Sequence, residues 1–456
     1  MKSISQEMAE FVLNLRYEDI PPHAVHEAKR FLLDSLGCAL AAANHEDMQG
    51  AYRFVEKCGG VSEATVIGRN MMTHASHAAL MNCLLIRALD YNDIYWQQDP
   101  SHPSEIIGAA LAGAEANQKN GCDLLAAIVI AYELEMRWCH AAHPGIREKG
   151  WHHASLTQFV SPLVAGRLYD LTGPQLVSAV GISGSSHFTL GGVVAGSLTH
   201  MKNMAGPLAC HGGFMAALLA GEGLTGPGEV IEGKEGLIEV LGHVDWKTDE
   251  LVRGLGQDFI ITRCSYKAFA SEALTHQPIS AALNLCRRHH ISADDIEDIL
   301  VETTTRGADI LSDPSKYQPE SKETADHSLP YVIAVAIMDG NVLPSSFSPE
   351  KLRDPNVRKL MHKIRVKADP ECDRLFPGVK RARVTLTTRG GDSFTAQTEA
   401  AKGDPADPMT DDEIMDKFRA NAETIMAPKR MEEIIEATWE MDTVKDMNAF
   451  MSLLVP

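Results

Sequence analysis

The densest group of polar side chains with possible chemistry lies in the segment RALDYNDIYWQQDPSHPSE. It places Arg87, Asp90 and His102 around the junction between two segments of helical periodicity. Arginine binds carboxylates in bidentate fashion, and a carboxylate near an imidazole can transfer protons, so we predict that this junction forms one wall of a cleft. We interpret Asp93 and Asp99 in the same segment as helix caps, a position that short acidic side chains favour.

Two further clusters place basic side chains before helices. The segment GWHHASL contains His152 and His153, and adjacent side chains point in different directions, so at most one of them is expected to face a site. The segment THMKNMAGPLACHGG places Lys202 at the start of a run of small and apolar residues. A lysine there either extends to solvent or is held as a cation for a substrate carboxylate. Gly206 in the same run is assigned to close helix packing.

The last two clusters lie in the second half of the chain. RCSYKAFASEALTHQ contains Lys267 and Glu272, and ETADHSLPYVIAVAIMDG contains Asp326, His327 and Tyr331. Small-molecule clefts favour junctions between domains, and the composition of the chain changes near Lys267, although a solvated hinge fits this pair equally well. Asp326 is expected to cap a helix with a proline in its first turn, and His327 and Tyr331 to face a cleft or to anchor that helix.

The elements that must position these side chains are mainly helical. Apolar residues recur with helical periodicity almost throughout the first 290 residues, and helices are predicted over 75–90, 104–118, 122–139, 155–170 and 203–221. Further along, alternating β-branched runs typical of an antiparallel sheet occupy 299–305, 363–369, 382–388 and 393–399. Two more helices are predicted between these runs, near 325–338 and 354–362.

These patterns predict a mainly α protein with two domains. The larger is all-helical and discontinuous, formed by residues 1–266 and 401–456. The smaller is an α+β lid domain with an antiparallel sheet, inserted as residues 267–400. A cleft between the two would bring the clusters together.

Composition excludes several classes of function. Lys and Arg number 42 and Asp and Glu 61, and the resulting formal charge of −19 disfavours nucleic acid or a membrane surface as a partner. An anionic substrate would therefore need local positive charge in its site. The chain lacks a P-loop, a strand–GxGxxG–helix pattern and a G-x-S-x-G pattern, so nucleotide, redox-cofactor and α/β-hydrolase functions have no support.

Cysteine and histidine usage bears on compartment and metals. Nine cysteines are scattered without a C-x-x-C pair, which predicts a reducing, cytoplasmic location and argues against a disulfide framework. The absence of close cysteine pairs and of H-E-x-x-H weakens any expectation of a metal site. The longest apolar run, residues 124–132, is too short to span a membrane.

Taken together, the clusters resemble the MmgE/PrpD family over essentially the whole chain. The matching segments are AKRFLLDSLGCALAA, RALDYND followed by HPSE, the Lys202 and Lys267 segments, and ADHSLPYVIAVAIMDG. The resemblance implies a large helical domain with a smaller α+β lid, a homodimer, and no metal or other cofactor. Activities in that family include 2-methylcitrate dehydration, cis-aconitate decarboxylation and iminodisuccinate epimerisation. All of them act on a small polycarboxylate beside a carboxylate.

Two details resemble the 2-methylcitrate dehydratase branch of the family. Arg87 precedes Leu-Asp, where decarboxylase-like members do not usually carry an arginine. Glu272 lies after Lys267, where decarboxylase-like members have a Pro-x-His arrangement and dehydratase-like members have Pro-Ala-Glu. This chain reads Ala-Ser-Glu, without the proline. Ile94 stands where many members have a threonine, which removes one possible hydrogen bond to a substrate oxygen.

The resemblance also marks site residues. The catalytic candidates are Asp90, His102, His152, Lys267 and Tyr331, and the substrate-binding candidates are Arg87, Lys202 and Glu272. We expect a hydro-lyase that removes a proton α to a carboxylate of a 2-methylcitrate-like tricarboxylate, with fixed cations stabilising the developing charge. His152 is the expected base, and Asp90 or His102 protonates the leaving hydroxyl. The reverse assignment fits the sequence equally well.

Two other functions fit the same residues. An epimerase or a cis-aconitate-type decarboxylase of this family would act on a related polycarboxylate with the same cations. A catalytically silent helical scaffold, which interacts through its acidic surface, belongs to a different class. Such a scaffold would gain no stability from tricarboxylates, whereas an enzyme with an intact site would gain it by mass action.

Overall fold

A computed structural model describes residues 2–195 and 198–456, most of which lie in helices. The helices of the first part of the chain are α1 Ile4–Asn14, α2 Pro22–Ala42, α3 Met48–Cys58, α4 Ala75–Arg87, α5 Glu105–Ala116, α6 Gly121–Ala141, α7 Ala154–Thr157, α8 Ser161–Leu168, α9 Gly173–Gly184, α10 Met201–Gly221, α11 Leu237–Val240 and α12 Asp249–Val252. Short strands between them are β1 Ala64–Thr65, β2 Met72–Thr73, β3 Tyr95–Trp96, β4 Pro100–Ser101, β5 Ala142–His143 and β6 Asp245–Trp246.

Helices α4 and α10 lie at the centre of this part of the molecule. Helix α4 packs against α5 and α10, and α10 also packs against α8 and α9. Small residues allow this close packing. A Cβ atom at Gly108 of α5 would lie 2.4 Å from the backbone nitrogen of Cys83 in α4, so the two helices approach this closely only because residue 108 is glycine.

The end of the chain returns to the same helices. Helices α20 Asp411–Ala422 and α21 Pro428–Trp439 pack against α2, and α22 Met447–Leu453 packs against α5. We call α1–α12 with α20–α22 the body. Its centre consists of apolar side chains, as expected for helices that are apolar nearly all round.

A smaller α+β unit, here called the insert, lies between Thr275 and Glu399. Its helices are α13 His276–His289, α14 Thr305–Leu311, α15 Lys322–Ala325, α16 Leu329–Asp339, α17 Pro349–Leu352, α18 Pro355–Met361 and α19 Pro370–Leu375, and its strands are β7 Ile296–Thr303, β8 Ile364–Ala368, β9 Ala382–Thr388 and β10 Ser393–Thr398. Helix α13 packs against β9, β10 and α16.

The sheet of the insert is mixed, so the prediction of an antiparallel sheet is wrong for one strand pair. The strand order is β10-β9-β7-β8, with β9 antiparallel to both of its neighbours and β8 parallel to β7. A parallel pair needs a long crossover connection. The chain between β7 and β8 contains α14–α18 and is long enough to supply one.

Two predicted helices differ from those observed. The helix expected over 155–170 is divided into α7 and α8, and Pro162, which cannot donate a backbone hydrogen bond, lies in the first turn of α8. Helix α16 begins at Leu329, and its cap is Ser328, whose Oγ accepts a hydrogen bond from the Tyr331 amide at 3.1 Å. The prediction that Asp326 caps this helix is therefore wrong, and its carboxylate is directed elsewhere.

Helix α10 is long and apolar enough to cross a membrane by length and composition alone. In the protein, α10 packs against α4, α8 and α9, and 56% of its most apolar 18-residue stretch is buried.

Candidate active site

A narrow cavity lies mainly within the body, beside the segment that leads into the insert, and the insert contributes His327 to its lining. It is lined by Arg87, Asp90, Ile94, Trp96, Pro100, His102, Arg147, His152, His153, Val194, Lys202, Lys267, Glu272, Ala273 and His327. Seven of the eight residues marked from the sequence are among them. Residues from distant parts of the chain therefore meet in one place, with basic and acidic groups side by side.

The carboxylate of Asp90 lies at the centre of the charged groups. Helix α4 ends at Arg87, and Asp90 follows in the left-handed region of the backbone with a φ of 52°. Aspartate tolerates this conformation better than most residues, and strained backbone of this kind is common at functional sites. Lys267 Nζ lies 3.0 Å from Asp90 Oδ1, Lys202 Nζ lies 3.5 Å from Oδ2, and the Arg87 guanidinium donates to Oδ1.

These cations decide the ionisation of Asp90. Burial alone would raise the pKa of its carboxyl, but Lys202, Lys267 and Arg87 outweigh burial and hold that pKa well below its usual range. Burial lowers the pKa of Lys202 to about 8, with Asp326 and Asp90 opposing the shift. At neutral pH this part of the cavity therefore contains the ionised Asp90 carboxylate beside the protonated Lys202 and Arg87.

Asp326 is a second buried carboxylate, and its role was not identified from the sequence. Its Oδ2 lies 3.4 Å from Lys202 Nζ and 3.0 Å from Lys322 Nζ, and its Oδ1 accepts a hydrogen bond from His327 Nδ1 at 2.6 Å. Burial opposes ionisation here too, but Lys202 and Lys322 hold the pKa of Asp326 below its usual range. The only available signal was a short polar segment before α16, which a helix cap explained equally well.

Two further carboxyl groups near the cavity have raised pKa values. Burial raises the pKa of Glu105 to about 8, although Arg87 Nε lies 3.0 Å from its Oε1. Burial also raises the pKa of Glu272, whose Oε2 accepts a hydrogen bond from the Leu274 amide at 2.6 Å. Because Glu105 is mostly protonated at pH 7, it does not neutralise the nearby cations, and the excess positive charge suits a polyanionic ligand.

The acidic groups of the cavity are poor ligands for a metal ion. Ligand atoms of Asp90, Asp326 and His327 lie within 4.8 Å of one another. Both carboxylates, however, are in contact with lysine ammonium groups. A divalent cation placed between them would meet those positive charges at close range.

His102 presents an unprotonated ring nitrogen to the cavity. Its Nδ1 lies 2.6 Å from the backbone carbonyl oxygen of Asp93. A carbonyl oxygen only accepts, so Nδ1 carries the hydrogen and Nε2 has a free lone pair. Burial, followed by Arg87 and Lys267, lowers the pKa of His102 well below its ordinary value, so the ring is neutral at pH 7.

His152 has the opposite tautomer. Its Nδ1 accepts a hydrogen bond from the Ala154 amide at 3.2 Å, so Nε2 carries the hydrogen of the neutral ring. Burial and then Arg147 lower the pKa of His152 well below its ordinary value. The centroid of the His153 ring lies 4.0 Å from the centroid of the His152 ring and 5.7 Å from that of the His102 ring. Both adjacent histidines thus line the cavity, and the expectation that at most one would do so is wrong.

Arg147 also lines the cavity and was missed in the sequence. It lies in the 3-10 turn Ile146–Lys149, and Asp99 accepts hydrogen bonds from the backbone amides of Ile146 and Arg147 at 2.8 and 3.1 Å. Asp99 is therefore a cap, as predicted, but it caps the turn that contains Arg147 rather than α5. The sequence signal was an arginine five residues before His152, which resembles any exposed basic residue.

Tyr331 does not line the cavity. Its ring is buried within α16, and its hydroxyl donates a hydrogen bond to the carbonyl oxygen of Ser346 at 2.6 Å. That contact anchors the helix, which was the alternative expected for this residue. Ile94 does line the cavity, and its backbone exchanges two hydrogen bonds with Ser265, at 2.9 and 3.0 Å. This bridge fixes the Lys267 segment beside the Asp90 loop.

Lys417 of α20 supports both of these loops from behind. Its ammonium group lies 2.7 Å from Asp34 Oδ1 and donates to the carbonyl oxygens of Tyr91 and Lys267 at 2.8 and 2.9 Å. The helices near the end of the chain thus position the backbone next to Asp90 and at Lys267.

Comparisons with known proteins agree with this architecture. Residues 6–249 match the MmgE/PrpD N-terminal domain, and residues 269–441 match the MmgE/PrpD C-terminal domain. The chain is 26% identical to the cis-aconitate decarboxylase-like protein oryM of Aspergillus oryzae, over 99% of this chain and 97% of that protein. It is 24% identical to the cis-aconitate decarboxylase of Mus musculus, over 100% and 94% of the two chains. It is also 24% identical to the 2-methylcitrate dehydratase of Cupriavidus necator, over 95% and 93%.

The relatives carry two different lyase names at nearly the same identity, so they fix the family and not the substrate. Both domain matches together span most of the chain. The protein belongs to the MmgE/PrpD family.

Proposed function

We propose that this protein is a hydro-lyase that eliminates water from a small tricarboxylate of the 2-methylcitrate type and forms the corresponding alkene. The observation that carries this proposal is the pair of neutral histidines with opposite tautomers, His102 with a free Nε2 lone pair and His152 with an Nε2 hydrogen. Elimination of water requires one group that accepts a proton and another that donates one.

The cations account for substrate binding. Lys202, Lys267 and Arg87 line one cavity, and each of them lies beside Asp90. Carboxylates of the substrate would extend this charge network and would balance the excess of positive charge. Because a protein with a formal charge of −19 repels anions at long range, the affinity must come from these local contacts.

In the proposed reaction His102 Nε2 removes the proton from the carbon next to a substrate carboxylate. The electron pair of that C–H bond first passes into the carboxylate, where Lys267 and Lys202 stabilise the negative charge, and then forms the new carbon–carbon double bond as the hydroxyl leaves. The tautomers thus favour His102 as the base, in place of the His152 assignment made from the sequence. Binding of a polyanion would also raise the pKa of His102 towards neutrality, which makes the ring a better base.

His152 completes the reaction as the acid. Its Nε2 hydrogen protonates the departing hydroxyl, which leaves as water. A proton transfer from His102 back to His152 then restores both tautomers. His327 offers a second candidate base, because its Nδ1 is hydrogen bonded to Asp326 and its Nε2 has no hydrogen-bond partner among residues 2–195 and 198–456.

A decarboxylase is the second candidate, favoured by the cis-aconitate decarboxylases among the relatives. Decarboxylation breaks a carbon–carbon bond, releases carbon dioxide and then protonates the carbanion. It therefore needs a proton donor such as His152 but no base. Glu272 and Arg87, which resemble the dehydratase branch, line the cavity and favour the first candidate.

Purified protein should be incubated separately with 2-methylcitrate, citrate, cis-aconitate and iminodisuccinate, and the products followed by NMR. Formation of an alkene from 2-methylcitrate supports the hydro-lyase. Carbon dioxide from cis-aconitate with no reaction of 2-methylcitrate would instead identify a decarboxylase, and a change of configuration in iminodisuccinate an epimerase.

Variants at the histidines test the assigned roles. In deuterated water, the His152→Asn variant should still replace the substrate proton next to the carboxylate with deuterium, because the base is intact. The same variant should no longer form the alkene. His102→Asn should lose both. Exchange that survives in His102→Asn and disappears in His327→Asn would transfer the role of base to His327.

A homodimer is part of the same proposal. Met201, Leu208 and Leu219 lie on one face of α10 and are 40%, 38% and 38% exposed. Spacings of seven and eleven residues place side chains on the same side of a helix. An apolar face of this kind supports association with a second copy, which light scattering during size-exclusion chromatography would measure. We propose a cytoplasmic location on the cysteine pattern alone.

A further inference from the structure

Arg147 differs from the other cations of the cavity in its contacts. Arg87 is paired with Asp90 and Glu105, Lys202 with Asp90 and Asp326, and Lys267 with Asp90. The guanidinium of Arg147 has neither an ion pair nor a hydrogen bond with any residue in 2–195 or 198–456. It is thus the lining cation without a direct ion-pair partner in that part of the chain, and Glu272, Asp99 and Glu148 act on its charge only from beyond contact distance.

The backbone of Arg147 is held rigidly. Asp99 accepts the hydrogen bonds of its amide and of the Ile146 amide, and a Cβ atom at Gly145 would lie 2.5 Å from the carbonyl oxygen of Gln98. Residue 145 must be glycine for the turn to approach this closely. A site built on such a fixed backbone loses little conformational entropy when a ligand binds.

The surroundings of the side chain favour an anion. The Arg147 guanidinium carbon lies 5.9 Å from the centroid of the Trp96 ring, and that of Arg306 lies 5.5 Å from the same ring. Arg306 is paired with Glu148. Burial, and after it Arg306, lower the pKa of Arg147 to about 10, so the group is still protonated at neutral pH. A protonated guanidinium next to a second one is stabilised by a bound carboxylate.

We infer that Arg147 binds one carboxylate of the substrate at the Trp96 side of the cavity. This subsite, separate from the lysines beside Asp90, makes the cavity specific for ligands with three carboxylates over ligands with two. The inference rests on the proposed function, because it assumes a polycarboxylate in this cavity. Guanidinium and carboxylate groups match in bidentate geometry, which gives such a subsite directional selectivity.

Calorimetry with unreactive ligands tests the subsite without turnover. Tricarballylate carries three carboxylates, and glutarate and succinate carry two. A charge-assisted contact of this kind makes the wild-type protein bind tricarballylate about 30-fold more tightly than the better dicarboxylate. In Arg147→Gln this ratio should fall to about threefold or less, because the remaining cations satisfy two carboxylates in every ligand.

Arg306→Gln is the matched control. It removes a guanidinium that faces the same tryptophan but does not line the cavity, so the ratio should stay within threefold of the wild-type value. Thermal melting of each variant checks that the fold is intact. The subsite is overturned if Arg147→Gln keeps the wild-type preference for tricarballylate over the dicarboxylates. It is also overturned if Arg306→Gln loses that preference to the same extent as Arg147→Gln.

The outcomes separate this inference from the proposed function. Wild-type protein that binds tricarballylate no better than the dicarboxylates overturns the subsite, while turnover of 2-methylcitrate would still support the hydro-lyase. Wild-type protein that binds none of the three ligands and leaves 2-methylcitrate unchanged overturns both. Tight binding that depends on Arg147 without turnover retains the subsite and rejects the hydro-lyase.

Discussion

Lys267 contacts Asp90 twice, since its Nζ lies 3.0 Å from the carboxylate Oδ1 and 3.0 Å from the backbone carbonyl oxygen of the same residue. The two residues are 177 positions apart in the chain. One ammonium group thus fixes both the side chain and the left-handed backbone of Asp90. The same group is available to stabilise negative charge that develops on a substrate carboxylate.

Replacing Lys267 with alanine should abolish turnover and leave the fold intact. Removal of one electrostatic donor from an active site typically costs about 10²- to 10³-fold in rate. Asp90 keeps its contacts with Lys202 and Arg87, so its buried charge stays compensated. Steady-state kinetics and circular dichroism would measure the two effects. Exposed Lys149→Ala is the control, and near-native activity of Lys267→Ala would remove Lys267 from the mechanism.

Lys417→Met should destabilise the protein strongly. The substitution leaves the Asp34 carboxylate buried without its ammonium partner and releases the carbonyl groups of Tyr91 and Lys267. Breaking a buried pair in this way costs about 3–5 kcal/mol of the free energy of unfolding. Urea denaturation would measure the loss. The double variant with Asp34→Leu should recover much of it, and equal stability of the single variant and the wild type would refute the role of this pair.

Tricarboxylate binding should weaken on the alkaline side. Burial lowers the pKa of Lys202 to about 8, so the ammonium group that attracts anions is present below this pH and is lost as the pH rises through it. The dissociation constant of tricarballylate should be flat from about pH 6.5 to 7.5 and then rise up to about tenfold per pH unit. Calorimetry at several pH values would show this.

A Lys202→Arg variant separates the titration of Lys202 from that of Glu105, a carboxyl group beside Arg87 whose pKa burial raises to about 8. The guanidinium of the new arginine stays protonated over the whole pH range. The variant should therefore show only the loss of tricarballylate affinity that ionisation of Glu105 causes. A pH dependence identical to that of the wild type would show that Lys202 does not titrate in this range.

Gly206→Ala should damage the site through Glu105. A Cβ atom at position 206 would lie 1.3 Å from Glu105 Oε2, so α10 or the carboxyl group must move, and the contact with Arg87 is lost. Overpacking of this kind typically costs about 1–3 kcal/mol of stability. Gly50→Ala in α3 is the matched control, because nothing lies within 4 Å of its added atom. Thermal melting and tricarballylate affinity should fall only in the first variant.

The sequence predicted the helical body well because helical periodicity is a local property. Helix α4 begins at Ala75, the start predicted for that helix, and α10 ends at Gly221, the end predicted for it. The strand β9 has the predicted bounds. The parallel direction of β8 was not predictable, since alternation is the same in parallel and antiparallel strands.

The sequence also located the side chains with chemistry, because residue types and family resemblance are written in the chain itself. Only the tertiary structure decided which of them meet. It placed Arg147 at the cavity and Asp326 behind Lys202, directed the Tyr331 hydroxyl to Ser346, and gave His102 and His152 opposite tautomers. The physical reason is that each of these properties depends on a partner brought close only by packing, and an isolated segment does not specify its partner.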